Sequence, residues 1–369
     1  MQKPWYEIKN TEKLDTPGLV IFPDRIKHNI NLLISMIGNV ARLRPHIKTC
    51  KALEPVSLML EAGIKKFKCA TIAEAEMLAM AKAPDVLLAY QPVGPNIGRF
   101  LQLIETYPET TFSCLTDNQS SAQKLNGAAI TQHKKINVFV DLNVGMNRTG
   151  IEPNAAVKLY GFCALKEALN PVGLHAYDGH IHDTNLEIRH KAWHTSFMQV
   201  KTVWQKLLEK GFVELVIIAG GSPTFPFYAE QKEVECSPGT FIYWDDGYQQ
   251  HFAEQPFLPA ALLVSRVVSL PDTTKICLDL GHKSVASESD LEHRIRFLNA
   301  PDLRLISHSE EHLVAEAGAN HHYQVGDILY GLPYHICPTV ALHQFGLTVE
   351  NNHLSGKWET IARNQKITI

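Results

Sequence analysis

Between residue 18 and about residue 222 the chain alternates between short β-rich apolar runs and longer stretches of helical periodicity. The strand candidates are Leu19–Phe22, Arg44–Thr49, Lys66–Ala70, Val86–Tyr90, Thr111–Leu115, Asn137–Leu142, Val172–Tyr177 and Glu214–Ala219. Helix candidates lie between them. In Asp24–Gly38 the residues Ile26, Ile30, Leu33 and Ile37 recur at helical spacing, and in Ile188–Lys210 so do Trp193, Phe197, Val200, Val203, Trp204 and Leu207. Pro23 before Asp24 marks a helix start, and Gly211 after Lys210 a helix stop. Eight strand-helix units are what a closed (β/α)8 barrel of the TIM type requires, with an open doubly wound sheet as the structural alternative.

After about residue 240 the pattern changes to strand-like runs, Ala261–Leu270, Lys275–Asp279, Arg304–His308 and Leu313–Ala315, broken by Pro and Gly turns. The division expected is a barrel over residues 16–240 and a mostly β C-terminal domain over 241–369, with residues 1–15 as an optional addition to the latter. A chain of 369 residues has room for both. Apolar residues make up 45% and charged residues 20%, with a net charge of -3 and no long block of one sign, so the nucleic-acid class is set aside. The first ten residues lack a signal-peptide layout and no apolar run reaches membrane-spanning length; the expectation is a cytoplasmic enzyme with no membrane partner. Seven scattered cysteines, odd in number and without a CxxC pair, argue against a disulfide framework.

Several segments carry chemistry. In Arg44-Pro45-His46-Ile47-Lys48-Thr49, strand alternation places Arg44, His46 and Lys48 on one face, where a barrel interior normally carries Val, Ile or Leu. A buried lysine is costly unless paired or neutralised, and covalent attachment to the aldehyde of pyridoxal phosphate (PLP) is one way to neutralise it. The plain alternative is an exposed edge with Lys48 in a salt bridge. Gly220-Gly221-Ser222-Pro223-Thr224 follows the last strand candidate, where barrels commonly bind phosphate on backbone N–H groups, with Ser222 or Thr224 adding hydroxyl donors; Gly-Gly-Ser is also an ordinary turn. Arg148, after the Asn137–Leu142 run, could hydrogen-bond the cofactor ring oxygen or a substrate carboxylate, or simply lie on the surface. Tyr177, His180 and His182 close the Val172–Tyr177 run, an aromatic and two imidazoles fit to pack on a cofactor or move protons; either histidine could equally be structural.

His335-Ile336-Cys337 points both ligand-type side chains the same way if the segment is extended. Imidazole with thiolate suits zinc, with manganese the second choice. Two ligands leave positions open to water or substrate, unlike a four-ligand structural site. A buried cysteine beside a chance histidine is the competing account.

Read together, these segments resemble the fold type III PLP enzymes of the D-threonine aldolase and D-serine dehydratase family: RPHIKTCK at 44–51, NVGMNRTG at 143–150, HAYDGH at 175–180, AGGSPTF at 219–225, SPGTFIYWD at 237–245, LDLGHKS at 278–284 and PYHICPT at 333–339. The resemblance implies an alanine racemase-like barrel with a C-terminal β domain, PLP on Lys48, a divalent metal at His335 and Cys337, and a homodimer. The chain departs from the family in having Cys50 where a histidine is usual, and His180 and His182 both remain candidates for the second proton-transfer residue.

The implied reaction acts on a D-3-hydroxy amino acid. Aldol cleavage to glycine and an aldehyde is favoured over dehydration to a 2-oxo acid and ammonia, because cleavage needs a base for the hydroxyl proton and two histidines follow Tyr177. Racemisation would leave the metal unused. A non-enzymatic PLP-binding regulator would not need the second domain, and a metal-dependent hydrolase on a barrel would not need Lys48.

Overall fold

A computed structural model describes residues 4–369. It forms two compact units, neither of them one continuous stretch: the first gathers the residues up to Leu32, Thr49–Pro55 and Thr240–Arg363, and the second Leu33–Lys48, Val56–Gly239 and Asn364–Ile369. Residues 16–32 and 49–55, expected within the barrel domain, therefore cluster with the C-terminal strands.

The first strand, β1 (Gly18–Ile21), shows why. Leu19, Val20 and Ile21 are buried on both faces, so their pattern carries no information on which sheet they join. The run expected to open the barrel instead pairs antiparallel with Ala261–Ser269 and parallel with Phe345–Glu350, both in the first unit.

The second unit holds β2 (Lys66–Cys69), β3 (Asp85–Leu88), β4 (Thr111–Thr116), β5 (Ile136–Leu142), β6 (Leu169–Ala176), β7 (Val216–Ala219) and β8 (Val234–Cys236), parallel throughout and in sequence order. β8 was not among the sequence candidates; it has three residues and carries Glu235 at its centre. The expected strand Arg44–Thr49 is not a strand either. Leu43 bridges Cys236 on one edge of the sheet and His46 bridges Lys68 on the other, with Arg44 N donating to Cys236 O and Lys68 N to Pro45 O, both at 2.9 Å. Pro45 has no N–H to extend a ladder, and Ile47–Thr49 turns into a 3-10 helix. The sheet is therefore seven strands with a bridging segment between its edges.

Leu87, Leu115, Phe139 and Ile218 form an apolar cluster among β3, β4, β5 and β7. The helix Leu186–Glu209 buries Trp193, Phe197, Val200, Val203 and Leu207, the stripe its periodicity predicts. Asn185 caps it, its side chain accepting from Glu187 N and Ile188 N. At Gly173 the strands leave no room for a side chain: an added Cβ would lie 1.9 Å from the Val216 carbonyl oxygen. Gly173→Ala is expected to cost about 3 kcal/mol, the upper end for overpacking, read as a lower denaturant midpoint at unchanged slope.

In the first unit β1 is joined by β9 (Ala261–Ser269), β10 (Lys275–Leu278), β11 (Ile295–Phe297), β12 (Arg304–His308), β13 (Leu313–Glu316), β14 (Ile328–Pro333), β15 (Phe345–Glu350) and β16 (His353–Glu359). Their order is β12-β13-β10-β9-β1-β15-β16, with β14 pairing both β9 and β11. Val20, Phe22, Leu262, Val264, Leu332 and Val349 make its core. Among the described residues no helix is long and apolar enough to cross a membrane.

Candidate active site

Arg44, His46 and Lys48 do not share a strand face. Arg44 is buried and bound on both sides, Nε to Glu235 Oε2 at 2.7 Å and the two terminal nitrogens to Asp85 at 2.7 and 3.0 Å. It ties β8 to β3 and is not available to a ligand. His46 Nδ1 accepts from Lys48 N at 3.2 Å, fixing the turn that presents the half-buried Lys48.

The sequence reading missed a second lysine here. Lys68, on β2, is buried, and its ammonium stands 5.7 Å from the Tyr177 ring centroid. Burial, and after it the Lys48 charge, push it down to about 7. The alternation Lys66-Phe67-Lys68 was the available signal, since one of these faces had to turn inward.

A second missed pair is His175 with Asp141, register partners on β6 and β5. His175 Nδ1 lies 2.7 Å from Asp141 Oδ1, while Thr149 Oγ1 and Gln91 Nε2 each donate to Oδ2 at 3.0 Å. Burial opposes the Asp141 charge, but the hydrogen bonds from His175, Thr149 and Gln91 outweigh it and hold the carboxyl below its usual range. Burial holds the His175 imidazole down as well. A charged Asp141 beside a neutral His175 puts the proton on Nδ1 and leaves Nε2 an acceptor. That Nε2 is buried and has no hydrogen-bond partner. His175 and Asp141 line a small cavity, partly open to solvent, with Arg148, Tyr177, Asn143 and Met146.

Tyr177 is the centre of this unit's polar groups. The Arg148 guanidinium stands 5.1 Å from its ring centroid. A Cβ on Gly221 would come 3.0 Å from its Cε2, and one on Gly220, whose φ is +83°, would come 2.7 Å from Tyr228 Cδ2. The glycines thus admit two tyrosine rings to the loop 220–224. Ser222 Oγ accepts from Gly239 N at 3.3 Å, and Thr224 Oγ1 donates to Asp178 Oδ1 at 3.0 Å. Burial pushes Asp178 up to about 6 against that bond. His180 and His182 are exposed at the end of β6 and outside the cavity lining; His180 stands against Gly145, where a Cβ would meet its Nε2 at 2.7 Å.

The orphaned His175 Nε2, the Lys48 amine and the glycine loop fit PLP: an aldehyde can bond the amine, and a ring or substrate donor can complete the imidazole.

In the first unit, His335 is the N-cap of the helix Ile336–Leu342, which places Cys337 in its first turn rather than on an extended segment. His335 Nδ1 lies 2.5 Å from Glu288 Oε1, and Cys337 Sγ lies 3.1 Å from Thr49 Oγ1. Among the described residues no group of three or more His, Cys, Asp or Glu is gathered for a metal. A carboxylate on one imidazole nitrogen, with a thiol two residues on, nevertheless fits a two-ligand metal site: the carboxylate orients the ring and Nε2 remains for the ion.

Residues 21–246 match the family model of the alanine racemase N-terminal domain. The chain belongs to that family. Residues 260–349 match a second model, a putative serine dehydratase domain, so the resemblance read from the ordered motifs holds over both halves. A D-threonine aldolase of Arthrobacter sp. is 26% identical over 359 residues, 95% of this chain and 93% of its own. A 3-hydroxy-D-aspartate aldolase of Paracoccus denitrificans (strain Pd 1222) is 26% identical over 372 residues, covering 96% and 93%. The crystal structure of a D-threonine aldolase from Filomicrobium marinum superposes with a TM-score of 0.88 at 24% identity, over 97% of this chain and 98% of that one.

Proposed function

We propose that this alanine racemase-like chain is a PLP- and metal-dependent lyase that cleaves D-3-hydroxy amino acids as a D-threonine aldolase does, on a barrel whose eighth stave is the bridging segment 43–46. The observation that carries the reading is the polar interior of the second unit. It holds a half-buried amine at Lys48 and a buried imidazole acceptor at His175 that lacks a partner. The full-length similarity to enzymes named as aldolases supports this reaction class.

Lys48 would hold the cofactor, with Tyr177 and Arg148 beside the ring and Gly220, Gly221, Ser222 and Thr224 around the phosphate. When bound, PLP supplies an electron sink for bonds to the substrate α-carbon. His335 and Cys337 would hold the metal, which when bound supplies Lewis acidity to an oxygen ligand. The imidazole of His180 or His182 takes the β-hydroxyl proton as the Cα–Cβ bond breaks, the carbonyl forms at Cβ, and a proton returned to Cα completes glycine. Asp141 holds His175 in the tautomer that accepts from the cofactor or substrate. The serine dehydratase model over residues 260–349 favours a second reading. There Lys48 removes the Cα proton and the hydroxyl leaves from Cβ.

Incubating the protein, loaded with PLP and zinc, with D-threonine and D-serine separates them. Glycine and acetaldehyde from D-threonine are expected; 2-oxobutanoate or pyruvate with ammonia would replace the aldolase by the dehydratase.

A further inference from the structure

His335 stands at the N-cap of the helix Ile336–Leu342, yet its side chain gives that helix no hydrogen bond. N-cap positions favour Ser, Thr, Asp or Asn because their oxygen takes an orphan N–H of the first turn. Here a carboxylate from elsewhere in the chain takes one instead. Asp245 Oδ2 accepts from Ile336 N at 3.0 Å, while Oδ1 accepts from Tyr248 N at 3.0 Å and caps the helix Asp246–His251. Asp245 is buried, and among the described residues no side-chain cation forms a salt bridge with it. A buried carboxylate without a cation is costly, and a divalent ion on the adjacent ligand pair would supply one.

The Ile336 amide belongs to the peptide between His335 and Cys337, so what fixes it fixes the direction of both side chains. We propose that Asp245 is a positioning residue for the metal pair: it caps the helix in place of His335 and so leaves that imidazole to Glu288 and the ion. The inference rests on His335 and Cys337 being metal ligands.

The backbone on each side holds the carboxylate in place. Trp244 is buried with φ at +45°, a left-handed conformation that is unfavourable for a bulky side chain, and its N–H donates to Thr240 O at 2.7 Å. Gly247 N donates to Tyr334 O at 3.1 Å, and a Cβ on Gly247 would come 2.8 Å from that same oxygen. Asp245 and Gly247 therefore grip the chain on either side of His335. From the helix, Thr339 Oγ1 donates to His335 O at 2.8 Å and accepts from Ala286 N at 3.1 Å, which ties in the segment that carries Glu288.

The test is the zinc affinity of the full chain, by competition with a chromophoric chelator, together with the thiolate-to-metal absorption of the cobalt-loaded protein. Asp245→Ser keeps one oxygen for Tyr248 N and leaves Ile336 N without its acceptor; Asp245→Asn keeps the size but turns an NH2 toward one of the two N–H groups. Each is expected to weaken zinc binding about 10- to 100-fold and to shift the cobalt band, with near-UV circular dichroism unchanged. Gly173→Ala, destabilised in the other unit, should bind zinc as the unaltered chain does. A folded Asp245 variant with unaltered affinity and cobalt spectrum overturns the proposal. A second measurement needs no variant: the Ile336 amide hydrogen of the unaltered protein should exchange slowly before any metal is added, and fast exchange overturns the proposal as well. Zinc bound equally by Cys337→Ala removes the metal reading and the inference with it. Unchanged affinity in the Asp245 variants beside a loss in Cys337→Ala removes the positioning role alone.

Discussion

Replacing Lys48 by Ala is expected to abolish the visible absorbance that PLP gains on bonding the protein and to lower turnover roughly 10^4-fold, about 5 kcal/mol of transition-state stabilisation. Both effects follow from the lost amine. Lys48 is presented by a 3-10 turn whose backbone is held by His46 Nδ1, so truncating its side chain leaves the turn and its hydrogen bond in place. A loss of absorbance in a variant with unchanged near-UV circular dichroism therefore reports the amine itself. The informative contrary result is a band that survives. Lys68 is the other amine of this interior, and a persistent band would move the attachment there and overturn the assignment of Lys48.

The sequence made Lys48, the proposed cofactor lysine, legible for a partly mistaken reason. Arg44, His46 and Lys48 were grouped by strand alternation, but the chain bridges both sheet edges only through residue 46 and then turns. Arg44 is a structural ion-pair residue, and what drew attention to it, a charge in a buried segment, is explained by Asp85 and Glu235. Strands β2 to β7 stood out because each is a short apolar run between long helical stretches. β1 stood out as a strand but not as a member of its sheet, since an all-buried run of four residues fits either environment.

The missed site residues share a physical cause. Asp141 and His175 are far apart in sequence and meet only through the register of β5 and β6, which no single-chain pattern contains. Lys68 lies within the strand candidate Lys66–Ala70 with no mark of its own, and its neighbours place it inside. The pair His335 and Cys337, by contrast, is local and is proposed from spacing alone, although the extended geometry invoked for it gives way to a helix start.

That helix start leads to the second large effect. Cys337→Ala is expected to leave PLP absorbance intact while bound metal, measured by plasma emission after gel filtration, falls from about one per chain to near zero, with turnover down about 10^3-fold. The separation is the point of the experiment. Cys337 lies in the first turn of the helix Ile336–Leu342, where alanine is well tolerated, and its half-buried Sγ lies 3.1 Å from Thr49 Oγ1. Loss of fold is therefore a poor explanation for loss of metal. Glu288→Gln gives the graded companion: it weakens the carboxylate that orients His335 and should reduce metal affinity about 10- to 100-fold without abolishing it. A Cys337→Ala enzyme that keeps full turnover would remove the metal from the mechanism and return Cys337 to an ordinary thiol hydrogen-bonded to Thr49, with His335 left as a surface imidazole paired to Glu288.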